Sequence, residues 1–205
     1  MSTTTEPRTA THAAATPVAD IADPGPLGLA GFASTTLVLS LANTGLVGQG
    51  VIFAVLPLAL FYGGLAQLLA GMWEFRKGNT FGATAFGTYG AFWLAYALYA
   101  WVFAARIPSA DATAATGLFL LVFTVVTAYL TLASLRTNAA LVAVFALLTL
   151  TFLFLTIGAF ASAETVSKVG GWLGVITAVI AFYASAAVVC NATWKRVVLP
   201  VGPLS

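Results

Sequence analysis

This sequence predicts a bundle of six membrane-crossing helices, and three observations carry that prediction. Of 205 residues, 60% are hydrophobic and 7% are charged, whereas a soluble domain carries roughly 25% charged residues. Six apolar stretches, at 26–46, 51–73, 82–105, 116–135, 139–161 and 169–194, each reach the length of about 20 residues that crosses about 30 Å of hydrocarbon. No Asp, Glu, Lys or Arg lies well inside any stretch; Glu74, Arg106, Arg136 and Lys195 stand at the ends. The fold class is therefore all-α polytopic, with the lipid bilayer as its solvent.

The segment before the first span, residues 1–22, is rich in Thr, Ala and Pro, lacks an apolar run and reads as a disordered tail. Residues 23–200 form the membrane domain, and 201–205 are a short C-terminal tail. The only histidine, His12, sits in the N-terminal tail, and a lone cysteine, Cys190, excludes an internal disulfide and a multi-cysteine metal site. A net charge of +2 gives no basis for nucleic-acid binding. The sequon "NAT" at 191–193 falls at the inner end of span six and reads as chance.

Span one opens with "DPGPLGL", residues 23–29. Proline suits the first turn of a helix and Asp23 can cap it. The segment reads either as a plain helix start or as a helix N-terminus whose free N–H groups face an anion. Along this span Phe32, Thr35, Thr36, Leu39 and Asn43 recur at helical spacing on one side. The amide of Asn43 calls for a solvated path or an interhelical bond.

The stretch between spans two and three, "EFRKGNTFGATAFGTYGAFW" at 74–93, sets Glu74, Arg76 and Lys77 in a short turn and then carries glycines among aromatics. Those glycines let helix three approach its neighbours closely and direct Tyr89, Trp93 and Tyr96 to another face. Span four repeats hydroxyls at Thr124, Thr127, Thr131 and Ser134, and span five adds Thr149 and Thr156 beside Leu148. Such stripes serve either helix packing or a polar path.

The spans hold no nucleophile, metal cluster or charged acid–base group, which argues against an enzyme and against a cofactor. What remains is transport, with a non-transporting membrane scaffold as its rival. Lys and Arg set the orientation. With the N-terminus inside, Arg8, Arg76, Lys77, Arg136, Lys195 and Arg196 are cytoplasmic, and only Arg106 and Lys168 are external. Both termini are expected in the cytoplasm, in a multi-pass protein of the cell membrane.

Taken together, these residues resemble the acetate uptake transporter family, the succinate–acetate permeases. "DPGPLGLAGFASTT" at 23–36 is similar to a signature that usually opens Asn-Pro-Ala-Pro-Leu-Gly-Leu, and "FYGGLAQLLAGMWEFRKGNTFGATAFGTYGAFW" at 61–93 resembles the longest motif of the family. "WLG" at 172–174 and "VLP" at 198–200 fit as well. The resemblance implies a homohexamer with one pore per protomer and proton-linked uptake of acetate and, in some members, succinate. It also implies an apolar constriction, which is Phe32 and Tyr89 by motif position and Leu148 by counting back from "TIG" at 156–158. The departures are Asp23 for Asn and Gly25 for Ala, and an ionised Asp23 near the entrance would repel carboxylates.

A bare carboxylate in such a constriction faces a large desolvation cost, and the spans hold no Lys or Arg to pair with it. The expected substrate path is therefore Asp23, Thr35, Thr36, Asn43 and Thr149 around the constriction, with the acid crossing beside a proton or as the neutral molecule. The hydroxyl of Tyr89 is expected to give the substrate one hydrogen bond. Neutral donors do not by themselves specify acetate, so a channel for another small polar or weak-acid solute stands as the alternative.

Overall fold

The computed structural model describes residues 21–204; the tail expected at 1–22 lies outside the described residues except for its last two. Six long helices follow one another: α1 Gly25–Thr44, α2 Ile52–Lys77, α3 Thr80–Leu98, α4 Ala112–Ser134, α5 Ala139–Phe160 and α6 Glu164–Trp194. All but α3 are long and apolar enough to cross a membrane by length and composition. Glycine and threonine dilute α3, and its position explains why that is tolerated. Its buried face, which includes Ala83, Ala85, Tyr89, Phe92, Trp93 and Ala97, meets other helices instead of lipid.

The helices close a ring. The main pairings join α2 to α1, α1 to α6, α6 to α5, α5 to α4, and α2 to α3. The last seam, α3 and the Tyr99–Phe103 turn that continues it against α4, is made mostly by aromatic rings, with Phe92 4.7 Å from Phe123 and Tyr99 5.4 Å from Phe119 between centroids. Side chains of this size hold the two backbones apart and leave space inside the ring. Large apolar residues such as Phe53, Phe61, Trp101 and Leu132 point outward, as a lipid-facing surface requires.

Glycine sets the α2–α3 distance. A Cβ on Gly90 would stand 2.7 Å from the backbone nitrogen of Leu68, and one on Gly71 would stand 2.6 Å from that of Gly87. The turn between these helices is made by Gly78 in the left-handed region, φ 76°, followed by Asn79, whose side-chain oxygen accepts from the Gly82 N–H at 3.1 Å. Glu74 is not a solvated turn residue. It is 1% exposed, accepts from the Asn79 amide at 2.9 Å and occupies room left by Gly82.

Helix α2 is not the regular span expected over 51–73. Its middle, Leu58–Ala66, is wound as a π-helix between α-helical segments Ile52–Pro57 and Gln67–Lys77. Residues 198–204 are tied down as well. Asn191 donates to the Leu199 carbonyl and accepts from Val198 and Leu199, so its amide serves the chain's own tail. Gly202 and Val201 carbonyls then accept from Ala139 and Ala140 at the start of α5, satisfying N–H groups that a helix leaves open there.

Candidate functional site

Among the described residues, a pair of cavities lies inside the ring. The larger, 320 Å³, is lined by α1, α3, α4 and α5 with Ser167 of α6, and the smaller, 180 Å³, opens toward Asp23, Lys77 and Asn138. Among the described residues, Phe32, Tyr89 and Leu148 alone line both. All three are buried, and the rings of Phe32 and Tyr89 are 5.7 Å apart between centroids. Motif resemblance had grouped these residues from three different helices; the structure brings them together where the cavities adjoin.

Helix geometry sorts the other expected path residues. At about 100° per residue, positions 32, 36, 39 and 43 share one face of α1, and Phe32, Thr36, Leu39 and Asn43 all line the larger cavity. Thr35 stands about 60° away on the same wheel. It lines neither cavity; its hydroxyl donates to the Gly31 carbonyl at 3.0 Å and toward that of Leu58 at 3.4 Å, against α2. Thr149 likewise lies one residue, about 100°, from Leu148 and faces α4. Its hydroxyl donates to the Phe145 carbonyl and pairs with Thr131 at 2.8 Å. Both threonines are helix-packing groups in this structure. The next hydroxyl on the Leu148 face, Thr151, is the one that reaches the larger cavity.

The α4 stripe also resolves into packing. Thr124 pairs with Thr156 at 3.0 Å, Thr131 with Thr149, and Ser134 donates to the Thr131 carbonyl. Thr127 accepts a 2.9 Å bond from the hydroxyl of Tyr89. That bond alters the expectation for Tyr89, because the hydroxyl is committed to α4 while its ring faces the cavities.

At the two mouths the polarity differs. Asn43 is half-buried where the larger cavity meets an open pocket lined also by Glu164 and Lys168. At the other mouth, Asp23 forms a 2.9 Å ion pair with Lys77 and accepts from the Gly25 N–H at 2.9 Å. The chain's own carboxylate thus takes the first donor of α1 that an anion would use, and Pro26 has none to offer. Lys77 offsets the charge of Asp23, so the repulsion expected of a lone Asp23 is reduced. Sequence reasoning missed two residues of the smaller cavity, Gln67 and the buried Glu74. Both sit in the 61–93 motif, but nothing in their spacing marks them as inward-facing, because the π-helical segment shifts the phase of α2.

Comparison with known proteins gives this geometry a context. The chain is 40% identical over 185 residues to the succinate-acetate/proton symporter SatP of Escherichia coli K12, covering 89% of this chain and 96% of that one. It is 43% identical over 172 residues to accumulation of dyads protein 2 of Saccharomyces cerevisiae, covering 82% of this chain and 61% of the longer yeast protein. Among solved structures, that of the bacterial acetate channel SatP superposes with a TM-score of 0.83 at 37% identity, over 89% of this chain and all of that one. Residues 4–205 match the GPR1/FUN34/yaaH family. With the motifs at 23–36 and 61–93, the six-helix ring and a match along nearly the whole sequence in agreement, this chain belongs to the GPR1/FUN34/yaaH family.

Proposed function

We propose that this protein carries acetate, and other short carboxylic acids such as succinate, across the cell membrane, together with a proton or as the neutral acid. The observation that carries this reading is the pair of cavities that, among the described residues, share Phe32, Tyr89 and Leu148 alone, in a fold that superposes on an acetate channel. Relatives named as a succinate-acetate/proton symporter and as an acetate permease support the substrate class.

Physical chemistry favours the neutral acid at the tightest point. Among the described residues, no charged side chain lines the larger cavity, and Phe32 and Leu148 offer no donor. An ion stripped of water there meets a cost far above thermal energy. The charged groups Asp23, Glu74 and Lys77 sit at the smaller cavity, beyond the apolar boundary. On this reading the boundary filters by size and by charge, while transport rather than catalysis is the activity. The cytoplasmic placement of both termini and assembly into a hexamer belong to the same proposal; the charge asymmetry of the loops supports the first, and family resemblance the second.

Purified protein in liposomes tests it. Labelled acetate should enter faster when the outside is made acidic, and a protonophore should reduce its accumulation. Uptake that follows voltage and ignores the pH gradient would establish a bare-anion channel instead; no acetate uptake at all would refute the reading.

A further inference from the structure

Among the described residues, the buried side-chain polar atoms without a protein partner are Thr36 Oγ1, Trp93 Nε1, and Oε1 and Nε2 of Gln67. They are not scattered. Thr36 and Trp93 line the larger cavity and Gln67 the smaller, so they stand on opposite sides of the Phe32–Tyr89–Leu148 boundary. Exposure is 5% for Thr36, 3% for Trp93 and 0% for Gln67. The hydroxyls of α4 and α5, by contrast, find partners across their helix contacts. A buried polar group left unpaired lowers stability, so a cluster of them at a cavity asks for a ligand.

Gln67 is the most demanding of the three, since both ends of its amide are unpaired. It sits at the residue where the π-helical stretch of α2 returns to α-helix, its N–H shared between the Gly64 and Tyr62 carbonyls. π-helical insertions occur often at functional sites. Gln67 lies seven residues from Glu74, about 10 Å deeper along the same helix, between the charged mouth and the apolar boundary.

We propose that Gln67 determines substrate form: its primary amide pairs with the un-ionised carboxyl group of an acid that has passed the boundary. This rests on the transport reading given above. An un-ionised carboxyl has one O–H donor and one carbonyl acceptor. A primary amide has the complementary pair, with Nε2–H donating to the acid carbonyl and Oε1 accepting from the acid hydroxyl. Both bonds form at once and the proton stays on the acid. An ionised carboxylate has acceptors only; it satisfies Nε2 but sets an anionic oxygen against Oε1. Thr36 and Trp93 form the station on the other side. They supply one O–H and one N–H, a donor set that suits either ionisation state.

Gln67→Leu is the test, because leucine fills similar space without donor or acceptor. In liposomes, the half-saturating acetate concentration should rise about tenfold or more relative to the unmodified protein. The thermal midpoint in detergent should stay level or rise, since an unpaired amide has been removed. Gln67→Met is the second apolar variant should the leucine protein fail to fold, and Gln67→Asn should restore part of the affinity. Wild-type half-saturation in a folded Leu or Met variant would overturn the assignment. Failure of the unmodified protein to take up acetate would instead refute the transport reading, so the two failures are separable.

Discussion

Phe32 is where side-chain volume should control passage. It lines both cavities and its ring lies tilted against that of Tyr89, so truncating it opens the boundary between them. Phe32→Ala is expected to admit longer hydroxy acids or dicarboxylates while acetate still passes, and Leu148→Ala to do so more mildly because less volume is removed. A series of acids of increasing length, measured in liposomes, checks this; a folded Phe32→Ala protein with an unchanged size limit would place the narrowest point elsewhere. Tyr89→Phe tests a separate issue. From sequence, its hydroxyl was expected to serve the substrate, but that group donates to Thr127. The loss should therefore fall on stability, by about 0.5–1.5 kcal/mol, with acetate flux per folded molecule little changed. A lower flux at unchanged thermal midpoint would show that the hydroxyl turns toward the substrate during transport.

Two glycines on the same helix have opposite roles, and α3 shows why position matters more than residue type. A Cβ at Gly90 meets the Leu68 backbone at 2.7 Å, whereas one at Gly87 finds only the end of the Met72 side chain at 3.9 Å. Backbone cannot yield as a flexible side chain does. Gly90→Ala is expected to push α3 off α2 and lower stability by about 1–3 kcal/mol, the usual range for overpacking. Gly87→Ala should be neutral or stabilising, because alanine is the better helix former by about 1 kcal/mol. Thermal unfolding of the two variants side by side decides the matter, and equal destabilisation would mean that a methyl at Gly87 also meets a neighbouring helix.

Over the whole molecule, the charge pattern and the cavities have a common axis. The smaller cavity opens beside Lys77, one of the residues that the positive-inside rule assigns to the cytoplasm, and Lys168 borders the pocket at the opposite end. If this orientation holds, the Asn43 mouth faces outward and the Gln67 side inward. A reporter fused after Ser205 should then be active only inside the cell; activity only outside would invert the layout and reverse the order in which a substrate meets the two cavities.

The length and hydropathy of the apolar stretches were enough to predict a membrane protein of six helices, because these are local properties that a bilayer enforces directly. The motifs at 23–36 and 61–93 carried the family and, with it, Phe32 and Tyr89. Facing was harder to read. Thr35 and Thr36 are neighbours of one type, yet only tertiary structure assigned Thr35 to α2 and Thr36 to the cavity, since a turn of about 100° per residue separates them. The partners of the α4 hydroxyls were equally invisible, because Thr156, Thr149 and Tyr89 lie on other helices. Gln67 and Glu74 escaped notice for a related reason. A π-helical stretch upstream resets their phase, and a polar residue in a sequence shows neither what surrounds it nor whether its hydrogen bonds are met. Only the assembled ring decides that, since burial and pairing depend on helices distant along the chain.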